Sequence, residues 1–248
     1  MRKSLLLLSL LSLLTYAACG GNDDPFKDVP GGAASGPTTP RTATLTGKIV
    51  FEGTAPTPKK ISTTSDPGCK NPDLVSEEYV VSDGGLQNVI ISVSSGIDGM
   101  NFERLTNEVL LDQQGCHYIP HALTLQVNQP LRIRNSDDTA HNIHAWAEIN
   151  SPFNESQASK GVETVKMFDK PEMLLPVRCD VHNWMNSFVG VFAHPLHTVS
   201  GQGGAYELKL PAGTFEITAQ HETLGTQTQM VTLTDAGTAE LNFTFKAK

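Results

Sequence analysis

The sequence has no apolar run long enough to cross a bilayer. Its most hydrophobic stretch, residues 5–14, is half the length a membrane helix needs. A surplus of positive charge is missing too: 18 Lys and Arg stand against 26 Asp and Glu, a net charge of −8. A negative chain is a poor match for phosphate backbones, so nucleic acid is not an expected partner. Residues 43–107 show no sustained helical period, and 21 Gly with 15 Pro favour many turns over long helices. Cysteine is scarce, at four in 248 residues, and no catalytic constellation stands out.

What is present begins with an export signal. Arg2 and Lys3 precede the apolar run, and Ala17 and Ala18 lie just before Cys19. Residues 1–18 resemble a bacterial lipoprotein signal, in which the cysteine after the cleavage point carries lipid. The resemblance implies a body anchored through Cys19 and facing the periplasm or cell surface. Gly20 at the next position is compatible with transfer to the outer membrane. Removing residues 1–18 takes away two basic residues and no acidic one, moving the net charge from −8 to −10. Such a surface suits a basic partner. Residues 19–42, rich in Gly, Pro, Ala, Ser, Thr and Asp, read as a flexible linker.

The chemistry concentrates in residues 176–191. Cys179, His182 and Met185 form Cys-x-x-His-x-x-Met, so one tight loop offers a thiolate, an imidazole and a thioether. These donors suit copper far better than calcium or magnesium. A second imidazole stands at His141, in the string His141-Asn142-Ile143-His144. Strand alternation sends His141 and Ile143 one way and Asn142 and His144 the other, so His141 is the expected ligand and His144 a hydrogen-bonding residue. Two imidazoles and a thiolate, with a weak axial thioether, make the ligand set of a blue copper electron-transfer centre. Leu175, Val177 and Cys179 share a face, which brings the thiolate out of an apolar interior where a cation must offset it.

At these residues the chain resembles the cupredoxins, of the amicyanin and plastocyanin type, over roughly residues 109–193. The resemblance implies a Greek-key β-sandwich or barrel over 108–197 and one type 1 copper ion held by His141, Cys179, His182 and Met185. It implies outer-sphere electron transfer through an exposed ring edge of His182. Asn142 is expected to anchor the ligand loop. Trp184 is expected either to join a docking patch or to pack beneath the loop. The function expected is electron carriage rather than catalysis. The alternatives are a copper storage, delivery or sensing module, a structural zinc site, and a carbohydrate-binding or adhesive β-protein.

With Cys19 and Cys179 assigned, Cys69 and Cys116 remain. In an exported protein such a pair most often forms a disulfide, the alternative being two buried thiols. The rest of the chain is read as β-structure throughout. Strands are expected at 43–51, 86–93, 109–112 and 123–133, with a turn at 128–130, an edge strand near 165–167, and four runs at 205–210, 214–220, 229–233 and 239–245. Residues 62–76 and 153–159 read as polar loops, 194–197 as an exposed loop, and 100–105 as a short helical turn. Residues 43–107 with 198–248 resemble a carboxypeptidase regulatory-like, transthyretin-like β-sandwich, into which the copper part is inserted. The alternative is one enlarged sandwich with trailing strands.

Overall fold

The structure is a computed structural model that describes residues 37–69 and 71–247. The expected signal, Cys19 with its lipid, and most of the linker lie outside the described residues. The described residues fall in one compact unit, and that body is all-β. Its strands are β1 (Ala43–Glu52), β2 (Val81–Ser82), β3 (Gly85–Leu86), β4 (Ile90–Ser95), β5 (Val109–Gln113), β6 (Tyr118–Ile119), β7 (Ala122–Gln126), β8 (Leu131–Asn135), β9 (His141–Ala145) and β10 (Phe153–Gln157). They continue with β11 (Glu163–Lys166), β12 (Glu172–Arg178), β13 (Asn186–Phe192), β14 (His197–Val199), β15 (Ala205–Leu210), β16 (Gly213–His221), β17 (Gly225–Leu233), β18 (Thr238–Glu240) and β19 (Phe243–Lys246).

Four sheets result. One runs β10-β9-β12-β13-β7 and a second β11-β8-β5-β6. Alternating residues of both meet in a cluster that includes Leu111, Leu123, Leu125, Ile133, Ile143, Leu175, Val177, Val189 and Val191. On β8 the partition is strict: Leu131 and Ile133 are buried. Outside, Arg132 pairs with Glu108 and Glu163, and Arg134 with Asp112. A third sheet gathers β15, β3, β18 and β19 around β1, and the fourth runs β14-β4-β16-β17. Their cluster is built on Leu45, Ile49, Phe51, Ile91, Tyr206, Phe215, Ile217, Phe243 and Phe245. Ile90, Ala122 and Phe192 make a small separate cluster.

Several sequence expectations need correction. The run 86–93 is broken: β3 pairs with β1 and β4 with β16, so the chain changes sheets at Asn88, whose φ is +62°. The run 239–245 is broken at Leu241 and Asn242. A Cβ on Gly47 would lie 1.9 Å from the Leu241 carbonyl oxygen, so only glycine lets the crossing strand come this close. Residues 153–157 form β10 rather than loop, because Gln157 turns inward and donates to the Ile133 carbonyl while β10 pairs along the whole of β9. Residues 100–105 are not helical: the Thr39 amide donates to the Asn101 carbonyl, the Asn101 amide donates to the Thr39 hydroxyl, and the Leu105 amide donates to the Gln126 side chain. His194 and His197 are packed rather than exposed, stacking on Phe192, with the His194 ring bonded to the Val93 carbonyl.

Candidate metal centre

Asn135 closes β8 as a fully buried bracket. Its amide donates to the carbonyls of Thr139 and Gln157, and its oxygen accepts the Asp137 N–H at 2.9 Å. The turn so fixed delivers His141 as the first residue of β9. On the other side, Leu175 and Val177 point inward along β12, and Cys179 follows on the same face one residue past the strand. The chain then folds tightly back. The His182 amide approaches Cys179 Sγ at 3.4 Å, the Met185 amide donates to the His182 carbonyl, and the Cys179 amide donates to the Met185 carbonyl. The Asn142 side-chain oxygen accepts the amides of Asp180 and Val181. Its amide donates to Asn154 and Asp180. His144 bonds Asp180 and stacks on Trp146, away from the centre.

The three strongest donors therefore converge. His141 Nδ1 lies 3.0 Å from His182 Nδ1, which lies 3.8 Å from Cys179 Sγ. One ligand atom from each of these residues falls within 4.8 Å of the others, and all three residues are buried. Met185, also buried, ends the loop in the same hydrophobic cluster as Cys179. Cys69 and Cys116 form the expected disulfide, with Cα atoms 5.3 Å apart. Their sulfurs are thus spent, although they too lie within reach of His182 and of Asp137 with His141. Cys179 alone among the described cysteines keeps a free thiol.

Two carboxylates absent from the sequence expectations complete the arrangement. Asp137 Oδ2 accepts from His141 Nε2 at 2.9 Å, and Asp66 Oδ2 from His182 Nε2 at 3.0 Å. With both Nε2–H groups so engaged, the two Nδ1 atoms face each other with lone pairs. Such a pair, beside a thiol, is repulsive until a proton or a cation stands among them, and carboxylate-held histidines are the usual form of metal-ligating imidazole. Electrostatics lean the same way. Burial favours the neutral His141 ring, but the Asp137 carboxylate and Cys179 sulfur outweigh it and push its pKa up to about 9. Burial likewise opposes the Cys179 thiolate, yet His141 and the surrounding N–H groups pull its pKa below the ordinary thiol value. Burial opposes the Asp137 charge as well, and bonds from His141 and from the Cys116 and Gly115 amides hold its pKa down. Asp66 is lowered by bonds from Thr139 and the Gly68 amide, with His182 adding to them. The donor set fits a soft or borderline cation, copper above all.

One expectation fails. The His182 ring is not an exposed edge: the residue is 2% exposed. The segment that carries Asp66 and Cys69 passes over it, placing Asp66 on Nε2 and Cys69 Sγ 3.4 Å from the same nitrogen. The Cys69–Cys116 disulfide and an Asp66–Thr139 bond pin this strap, and Gly68 packs so near Thr139 that a Cβ would come within 2.6 Å. Trp184 packs rather than projects, its Nε1–H donating to the Cys116 carbonyl and its ring centroid 5.1 Å from that of His182. A signal for Asp137 existed, four residues before His141. None existed for Asp66, 116 positions from its partner.

No protein-family model matches the chain, and no curated protein matches it. Among solved structures it is similar to a copper-containing nitrite reductase from Thermus scotoductus SA-01, at 19% identity over 41% of this chain and TM-score 0.32. The chain spans about a quarter of that enzyme's length. It is similar also to an oxidized amicyanin variant, at 15% identity over 41% of this chain and 97% of that one, TM-score 0.32. A third neighbour is a purple cupredoxin from Nitrosopumilus maritimus, at 19% identity over 34% of this chain and 97% of that one, TM-score 0.29. The chain is an all-β protein whose solved neighbours include cupredoxins over part of its length.

Proposed function

We propose that this chain is a type 1 copper protein that carries single electrons between partners at a bacterial cell envelope. His141, Cys179 and His182 would hold the ion, with the Met185 thioether as a fourth, weaker donor. When bound, copper supplies the one-electron redox couple. The protein's own part is to keep one donor geometry: Asn135 fixes the turn before His141, Asn142 fixes the loop after Cys179, and Asp137 and Asp66 orient the two rings. The single observation that carries this reading is the convergence of two imidazole Nδ1 atoms and a free buried thiol within 4.8 Å. The reading includes a copper-bearing part at 108–197 and a second sandwich from 43–107 with 198–248, supported by their separate hydrophobic clusters. It also includes a lipid anchor at Cys19, placement in the periplasm or on the cell surface at the outer membrane, a redox partner of basic surface, and no catalytic turnover.

A second reading has one observation in its favour. The roofed His182 ring removes the usual contact point for fast outer-sphere exchange, which suits a module that stores, delivers or senses copper. Copper reconstitution separates the two. An intense absorption near about 600 nm, from copper bound to thiolate, together with rapid electron self-exchange supports the carrier. Tight, colourless copper supports the store. Failure to bind copper defeats both.

A further inference from the structure

We propose that Glu77, His117 and His121 form a second metal site, for a borderline divalent cation of the zinc class, apart from the Cys179 centre and independent of the copper reading. Segments distant in sequence meet there. Glu77 comes from the stretch before β2, His117 and His121 flank β6, and Glu222 comes from the β16–β17 turn. The Glu77 carboxylate bonds His117 Nε2, and the same oxygen lies 3.5 Å from His121 Nδ1. On the far side of the ring, His121 Nε2 is bonded to Glu222 Oε1 at 2.6 Å. The His121 side chain is only 4% exposed, yet carboxylate oxygens face both of its nitrogens.

This is a two-histidine, one-carboxylate set, a combination that binds zinc, copper(II) or iron(II) while leaving positions open. Glu77 lies between the two imidazoles, and both rings must swing toward its oxygen to share one ion. Glu222 holds the outer nitrogen of His121, as a carboxylate does behind a ligating histidine, and so leaves Nδ1 to the metal. The open positions have somewhere to point. A cavity of about 30 Å³ is lined by Glu77, His117, His121 and Trp184, among others, room for an ion or a water. Charge is consistent as well: two carboxylates around two imidazoles carry −2 when the rings are neutral, which one divalent cation balances. Trp184 borders this cavity and packs on His182, so the second site adjoins the Cys179 centre through one indole ring.

The test is a zinc titration of the full chain carrying His141→Ala and Cys179→Ser, which removes the first centre, followed by calorimetry. We expect one zinc, with affinity falling at least tenfold in His117→Ala and in Glu77→Gln. Both positions are partly exposed, and circular dichroism checks that the variants fold. Zinc-edge absorption should show nitrogen and oxygen neighbours, including two imidazoles, and no sulfur. Should the double variant not fold, the wild-type chain is titrated beside His117→Ala, which should bind one zinc fewer. No bound zinc in the double variant overturns the proposal, as does affinity unchanged by His117→Ala and Glu77→Gln. The cluster is then an ion-paired staple between β6 and the β16–β17 turn. None of these outcomes depends on whether Cys179 binds copper.

Discussion

The two hydrophobic clusters differ in what they admit. That of β1, β4 and β15–β19 closes on rings: Phe51, Tyr206, Phe215, Phe243 and Phe245 are all buried there. That of β5–β13 is mostly aliphatic, with Tyr118 and Phe168 as its buried rings, and admits at one end two imidazoles and a thiol, with Asp137 buried beside them. Both are built from paired strands, so pairing does not make the site. The site comes from polar groups sunk at one end of an aliphatic core, each with a partner, since a buried donor without one costs roughly 1–3 kcal/mol. The β16–β17 side keeps its buried His221 neutral instead: burial holds its pKa down to about 4.

The largest expected effect breaks the comparison at its sharpest point. Cys179→Ser should abolish the visible band of the copper-loaded protein while leaving the far-ultraviolet dichroism unchanged. A band that survives refutes the ligand assignment. Next, Phe215→Ala should cost about 3–5 kcal/mol in denaturant unfolding by opening a cavity among the rings. If copper uptake by the folded fraction is then unaltered, the two clusters are separable in function as well as in packing. Asp66→Ala and Asp137→Ala should each weaken copper binding by about 10- to 100-fold while the fold persists, as competition with a chelator will measure. Asp66→Glu should restore part of the loss if ring orientation, and not mere packing, is its role.

A pH effect also separates the regions, with opposite sign in each. His221, at about 4, and His197, which burial holds at about 3, bind protons more readily unfolded than folded. Their region should lose stability as pH falls from about 6.5 towards 4, by up to about 1.4 kcal/mol per unit per group. His141, raised to about 9, acts in reverse. In metal-free protein its contribution is complete below about pH 6.5 and fades as pH rises towards 9. Amide exchange, corrected for its intrinsic pH dependence and read separately in the two clusters, should show the opposite trends. Parallel trends would erase the distinction.

Much of this was legible in residue order because strand alternation and a short ligand loop are local. The β8 partition and the inward Leu175-Val177-Cys179 series followed from period two alone, and Cys-x-x-His-x-x-Met announced its donors. What escaped was set by distant neighbours. Asp66 reaches His182 only because a disulfide anchors its strap, and the break at Leu241 depends on Gly47, far back on β1. Likewise β10 looks polar because it is an edge strand with one wet face, and only its pairing with β9 reveals it.

β1 carries a last consequence. It is the first strand of the described body, yet it is hydrogen-bonded to β15, β18 and β19 near the other end. During synthesis it must wait for nearly two hundred residues to emerge before its sheet can close, and such long-range closure is slow. Residues 109–192 need no such wait, because β5–β13 pair only among themselves. The donors of the metal centre can therefore be gathered on the growing chain while its oldest strand still lacks β15, β18 and β19.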